Sequence, residues 1–384
     1  MAANLSTLSP PATGAAALSS SHHVKAMAAT FLPPKTIKGR FPATAAPLSR
    51  RSSPVMRPFA ITTQEAAAKE VLHNVAPFIV TYKDGSFERP SQVVFLPPST
   101  DPVTGVESKD VVIHPENKVT ARIFLPPNAK PGSKLPLFFY AHGGAFVSES
   151  PFSHTYHSYV NSVVKEANAV GVSIDYRLAP EAILPAAYDD TWHALEWVFS
   201  HGPGGNGTEP WLRDYVDFNK VSISGDSAGG NIAYNMAVRA GEEPSSKVKL
   251  DGVILNCPHF WGNEPLPFEA ANKAYADYMG LIWLVAWPDC PGGWDHPASN
   301  PTKNPNLHKL GCKRIYIYVA GNDILRERGL EFVDSLKKVR WPGQVYLSDV
   351  PGVNHVFNVS NHTLPESKEI MKKVVAFLHG EKLD

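Results

Sequence analysis

The stretch "VSISGDSAGGNIAY" (221–234) sets a β-branched run ahead of Gly225-Asp226-Ser227-Ala228-Gly229 and a helix-forming segment behind it. Gly-x-Ser-x-Gly between a strand and a helix has two physical readings. Small residues let a helix lie close on a sheet. They also permit the sharp turn that lifts a serine hydroxyl clear of its neighbours, which makes Ser227 a candidate nucleophile. A serine at its free pKa attacks poorly, so it needs a base, and the base needs a carboxylate to fix its tautomer. On a turn of this kind the partners follow in chain order, the acid and then the histidine. Asp323 comes directly after the strand-like "RIYIYVAGN", and His355 in "DVPGVNHVF" follows the last strand-like run and precedes the final helix. Asp349 is a rival acid, but it falls within or at the end of the strand before His355. Of the fifteen histidines, His355 stands out by position, independently of its residue type.

Attack on a carbonyl creates an oxyanion, best met by preorganised backbone N–H groups. "AHGGAF" after "LPLFFY" supplies the amides of Gly143, Gly144 and Ala145, and Ala228 at the helix start adds another. His142 reads as a structural hydrogen-bonder. The expected chemistry is acyl transfer from a small-molecule ester, and it calls for neither metal nor cofactor.

These residues need elements to position them. "LPLFFYA" (135–141), "VGVSID" (170–175), "KVSIS" (220–224), "GVILN" (252–256), "RIYIYVA" (314–320) and "QVYLSDV" (344–350) are short, apolar and rich in β-formers. Continuous rather than alternating runs imply strands buried on both faces, as in a mainly parallel sheet. Helical periodicity fills the gaps in "HTYHSYVNSVVKEA", "AAYDDTWHALEWVFS", "GGNIAYNMAVRA" and "RERGLEFVDSLKKV", and "SKEIMKKVVAFLHG" closes the chain. Two stretches break this rhythm: residues 61–90, with a helical opening "TTQEAAAKEVLHNV", and residues 258–305, which are rich in Trp and Pro. Both are expected to form a cap over the carboxyl ends of the strands, where open α/β sheets place their sites. Phe146, Trp261 and the 275–295 region are candidate pocket lining or cap core.

The chain has 384 residues, 43% of them hydrophobic and 19% charged, an ordinary globular balance. No apolar run is long enough to cross a membrane. Residues 1–60 contain seven basic and no acidic residues, which leaves 29 basic against 36 acidic in the remainder. Nothing in that distribution suggests nucleic-acid binding. Cys257, Cys290 and Cys312 are too few and too widely spaced for a disulfide framework or zinc site, and are expected to be reduced structural thiols. Asn206, Asn358 and Asn361 head glycosylation triplets, a pattern short enough to arise by chance. Oligomeric state stays open, a homodimer being one candidate.

The leader is rich in Ala, Ser, Thr and Pro, basic, and without a continuous apolar core. That composition is expected of an organelle transit peptide, the Ser/Thr/Pro character favouring the plastid. The division expected is residues 1–58 as transit peptide, its boundary lying between Arg50 and Glu65, and 59–384 as the catalytic domain with its cap elements.

"HGGAF" (142–146), "DYRLAPE" (175–181), "GDSAGGN" (225–231), "GNDILRERG" (321–329) and "VNHVF" (353–357) occur in that order. With them the chain resembles, over roughly residues 65–380, the plant carboxylesterases of the hormone-sensitive-lipase-like group. The resemblance implies an α/β-hydrolase fold: a mainly parallel central sheet flanked by helices, with a cap. It also implies Ser227 as nucleophile, Asp323 as acid and His355 as base, with Gly143, Gly144 and Ala228 around the oxyanion. Ala145 stands where the wider group often has a third glycine, which narrows the space for esters of bulky tertiary alcohols. The same group includes gibberellin receptors, which lack the catalytic histidine, and a dehydratase branch with threonine for the serine. His355 and Ser227 speak against both. A plastid-like leader joined to an esterase body is similar to the tuliposide-converting enzymes, which act on glucose esters of hydroxy acids. That likeness implies release of a lactone, tulipalin, by the acyl chain's own hydroxyl; hydrolysis of short-acyl esters by water is the alternative.

Overall fold

A computed structural model describes residues 69–384. The leader, residues 1–58, and the start of the 61–90 stretch as far as residue 68 lie outside the described residues. The chain first forms β1 (Val71–Val75), β2 (Ile79–Tyr82) and β3 (Phe87–Glu88), a small antiparallel sheet in that order. This corrects the helical opening expected over 62–75: within the described residues, Val71–Val75 is a strand paired with β2, Val75 opposite Ile79. Both of these side chains are fully buried. Burial across the hairpin overrides the continuation of the expected helix through Val71–Val75.

The main sheet follows. β4 (Glu107–His114) and β5 (Val119–Leu125) form a hairpin, then come β6 (Leu135–Ala141), α1 (His154–Ala167), β7 (Val170–Asp175), α2 (Ala186–Phe199) and the short α3 (Pro210–Arg213). β8 (Val216–Asp226), α4 (Ala228–Glu242) and β9 (Leu250–Asn256) lead into α5 (Pro267–Ala271) and α6 (Lys273–Ala286). After three 3₁₀ turns the chain ends in β10 (Cys312–Ala320), α7 (Arg326–Lys338), β11 (Gln344–Val350), α8 (Phe357–Ser360) and α9 (Pro365–His379). The strand order is β11-β10-β9-β8-β6-β7-β5-β4. Pairing is parallel from β11 through β7 and antiparallel at β7–β5–β4.

The unbroken apolar run of β6 has a direct cause. Leu137, Phe139 and Ala141 join the core beneath α2 and α4, while Phe138 and Tyr140 join the second core beneath α1 and α9. A strand covered by helices on both sides has no solvent face to mark with polar residues. α1 begins where the Ser153 side chain accepts from the Tyr156 amide, 3.3 Å, and ends at Asn168 in the left-handed conformation, φ 44°.

The 258–305 stretch is fixed at both ends of its helices. The Tyr278 hydroxyl of α6 donates to the Ala76 carbonyl at 3.1 Å, and Trp283 packs edge-on against Phe146, just beyond β6. α5 is bolted to the first turn of α7. Arg328 donates to both Glu269 carboxylate oxygens at 2.7 Å and to the Glu264 carbonyl at 2.7 Å, while Glu327 accepts from the Phe268 amide at 2.8 Å. Arg328 and Glu269 are 4% and 1% exposed, so each charge depends on the other. We expect Glu269→Ala to cost about 3–5 kcal/mol, because it leaves the buried guanidinium with only the longer 3.5 Å ion pair to part-exposed Glu331, and Glu269→Leu with Arg328→Met to recover most of that loss. Urea unfolding midpoints of the three proteins check it.

Candidate active site

β8 stops at Asp226 and α4 starts at Ala228, so the chain turns within one residue. Ser227 takes that turn at φ 51° and ψ −117°, a region that L-residues seldom occupy. Three backbone bonds hold it: its amide donates to Asn256 O at 2.9 Å, and its carbonyl accepts from His259 N at 2.8 Å and Asn231 N at 3.0 Å. The small neighbours are required by contact. A Cβ on Gly225 would stand 2.2 Å from the Gly229 carbonyl oxygen, and one on Gly229 would stand 2.0 Å from that of Ala141. The packing reading and the turn reading of the motif are therefore one fact.

His355 lies in the loop between β11 and α8, and its Nδ1 is 2.6 Å from Asp323 Oδ2. Asp323, in the loop between β10 and α7, is held by the Leu325 amide, which donates to its other oxygen at 3.0 Å. Burial alone would push the imidazole pKa down. The charge and hydrogen bond of Asp323 outweigh it and hold His355 well above its ordinary value. The rival Asp349 is taken up by Arg326, whose Nε donates to it at 2.8 Å. No hydrogen bond among the described residues joins Ser227 to His355. They share a neighbourhood through β9: Ser227 bonds to Asn256, and the next residue, Cys257, places its thiol beside the His355 ring. Such contacts are often long in an unliganded enzyme and tighten with substrate.

The loop after β6 is held in an unusual shape, with Gly144, Ala145 and Phe146 at φ 103°, 58° and 61°. A Cβ on Gly144 would collide with the Ser148 carbonyl, 2.3 Å away. Gly143 departs from expectation. Its amide donates to Asp226 Oδ1 at 2.9 Å and also approaches the Tyr156 hydroxyl at 3.0 Å, so it faces the core and is spent. Gly143 is corrected from oxyanion donor to loop anchor. The amides of Gly144 and Ala145 donate to no group among the described residues, and Ala228, first in α4, has no intrahelical partner. His142 is buried, its pKa lowered to about 4 by desolvation, and its Nδ1 donates to Gly143 O at 2.7 Å. It is a neutral structural group, as read from the sequence.

Asp226 is the residue that sequence reasoning passed over. Its buried carboxylate accepts from Tyr140 at 2.6 Å, Tyr156 at 2.9 Å and Gly143. Burial raises its pKa, and those same hydrogen bonds oppose the rise. A lone acid inside an otherwise small and apolar run was the available signal, since buried charges are paired. "DYRLAPE" also finds its use. Tyr176 stacks on His142 with ring centroids 4.3 Å apart and donates to His142 O at 2.8 Å, and Arg177 binds the fully buried Asp190. Phe146 and Trp261 are both buried. Asn358, head of one glycosylation triplet, is buried and bonded to Asn256 and Tyr318.

Comparison with known proteins places this geometry. The chain is 40% identical to a 2-hydroxyisoflavanone dehydratase of Glycyrrhiza echinata, over 83% of this chain and 99% of that one. It is 39% identical to probable carboxylesterase 5 of Arabidopsis thaliana, over 81% and 99%. A chloroplastic tuliposide A-converting enzyme 1 of Tulipa gesneriana is also 39% identical, over 87% and 83%. Residues 138–359, from β6 through α8, match the family model described as alpha/beta hydrolase fold. With the sheet order, the elbow at Ser227 and that match together, the chain belongs to the alpha/beta hydrolase fold family.

Proposed function

We propose that this chain is a serine carboxylesterase-type enzyme that cleaves a small carboxylic ester through an acyl-serine intermediate. The observation that carries the reading is the 2.6 Å contact between His355 Nδ1 and buried Asp323, in the same group of loops as the strained turn at Ser227. Asp323 fixes the tautomer that leaves Nε2 free to accept a proton. Ser227 Oγ attacks the ester carbonyl and its proton passes to Nε2. The amides of Gly144, Ala145 and Ala228 donate to the oxyanion. The intermediate collapses, His355 returns the proton to the departing alcohol, and the acyl group stays on Ser227.

The acyl-enzyme is then resolved by the acyl chain's own hydroxyl, releasing a lactone from a glucose ester as in tuliposide conversion. Two observations support this narrower reading: the basic, acid-free leader and the 39% identity to the tulip enzyme across most of both chains. An internal hydroxyl holds an effective molarity of about 10⁵ M or more, far above that of water. Water in the same place gives a general carboxylesterase with the same residues. Residues 1–58 fit a plastid address, and 59–384 the enzyme with its cap. The dehydratase name of the first relative does not carry over, because Ser227 stands where the resemblance puts threonine in that branch. His355 likewise counts against a receptor without turnover.

Ser227→Ala is expected to lower kcat on p-nitrophenyl acetate by at least about 10³-fold with little change in KM. Turnover within a few-fold of wild type removes Ser227 from its role. Asp226→Asn removes one accepting oxygen and sets an amide nitrogen against the donor Tyr156 or against the donors Tyr140 and Gly143, and kcat should drop by about 10²-fold as the oxyanion loop's anchor is weakened. Steady-state kinetics on a folded variant, checked by circular dichroism, decide it. Mass spectrometry after incubation with a hydroxyacyl glucose ester in ¹⁸O-water should give unlabelled lactone; labelled free acid assigns hydrolysis instead.

A further inference from the structure

Cys257 is a buried nucleophile that the mechanism above leaves unused. It follows β9 with φ 42°, is 1% exposed, and its amide donates to Tyr318 O at 2.9 Å. That backbone sets its thiol against the Asp323–His355 pair. One ligand atom from each of Cys257, Asp323 and His355, a sulfur, a carboxylate oxygen and a ring nitrogen, all lie within 4.8 Å of one another.

We propose that Cys257, Asp323 and His355 form a site for one thiophilic divalent cation such as Zn²⁺ or Cd²⁺, and that occupancy switches the enzyme off. Thiolate, imidazole and carboxylate are the donors that zinc takes, at about 2.0–2.3 Å, in four-coordinate sites. Bond lengths of that size put the ligand atoms of one tetrahedral centre about 3.3–3.8 Å apart, within the spread found here. Only the Asp323–His355 contact, now 2.6 Å, has to open to admit the ion. His355 provides the entrance: its side chain is 29% exposed and lines a cavity of about 410 Å³ together with Gly352, Asn354 and Ser360. The fourth position is left to water. On binding, the Cys257 thiol gives its proton to solvent and its sulfur lone pair to the metal, the carboxylate donates a lone pair, and the imidazole changes tautomer, its proton passing from Nδ1 through solvent to Nε2 so that Nδ1 can donate to the ion. Mg²⁺ and Ca²⁺, which demand oxygen donors, find one carboxylate and are not held. A metallated imidazole no longer accepts the Ser227 proton, so inhibition follows from the ligand set itself.

Cd²⁺ binding is read directly from the ultraviolet thiolate-to-cadmium charge-transfer band, in the full chain carrying Ser227→Ala, so that the result does not depend on turnover. The expected outcome is one equivalent bound, reversed by EDTA, with the band abolished by Cys257→Ala and kept when Cys290 and Cys312 are replaced by Ser. In the active protein, Zn²⁺ should suppress p-nitrophenyl acetate turnover. In Cys257→Ala, with inhibition measured against that variant's own metal-free rate, the inhibition constant should rise at least about tenfold. An undiminished band in Cys257→Ala, no band at all, or equal inhibition of both proteins overturns the site. If the wild-type chain turns over no ester, the cadmium titration still decides the metal site, and what fails is the catalytic reading.

Discussion

The first turn of α4 lies against the carboxyl ends of β6 and β8 with no room for a side chain between them, and everything at the site follows from that crossing. Ser227 has to reverse the chain at a left-handed φ, which costs of the order of 1–3 kcal/mol. The surroundings repay it with bonds to Asn256, Asn231 and His259. Strain at Ser227 and its place between β8 and α4 are two aspects of one geometry. Relaxing the turn would sink the serine into the sheet.

Asp226 extends that constraint sideways. The residue before the serine cannot reach solvent, and its carboxylate becomes the point onto which the loop after β6 is drawn through Gly143. Tyr140 from the strand and Tyr156 from α1 complete its shell. The loop therefore inherits its register from β8, so two chain segments more than eighty residues apart are set by a single side chain. Around it the buried charges come in partnered sets: Asp190 with Arg177, Arg122 with Asp110, Arg328 with Glu269. Paired charges hold orientation where apolar packing alone would allow sliding.

How much of this the sequence discloses depends on whether the signal is local. Strands covered on both faces, such as β6, β7 and β10, announce themselves by composition, and α1 by periodicity with recognisable ends, whereas β11, read the same way, is a part-exposed edge strand. The β4–β5 hairpin is harder to see, because "ESKDVVIH" is part-exposed throughout and carries five charged or polar residues. "VLHNV" misleads because helix propensity is a weak prior beside a partner strand that buries Val75. The pairing of Asp323 with His355 was legible, since chain order and strand ends fix both positions. Gly143 was misjudged because a sequence shows that an amide exists but not which way it points. Cys257 was invisible for a related reason: its nearest functional neighbours lie sixty to a hundred residues further on, and only the sheet order brings β9 beside the loops that follow β10 and β11.

The bolt between α5 and α7 has a consequence for how such enzymes diversify. The strut's two halves sit on different elements, Glu269 on α5 and Arg328 on the helix whose leading loop holds Asp323. A transplanted α5 segment must therefore bring a carboxylate at the matching position, or the recipient scaffold must surrender its guanidinium in the same step. Exchange of such segments is in this way a lock-and-key operation between cassette and chassis. The permitted grafts are fixed by charge bookkeeping beneath the surface before any substrate is met.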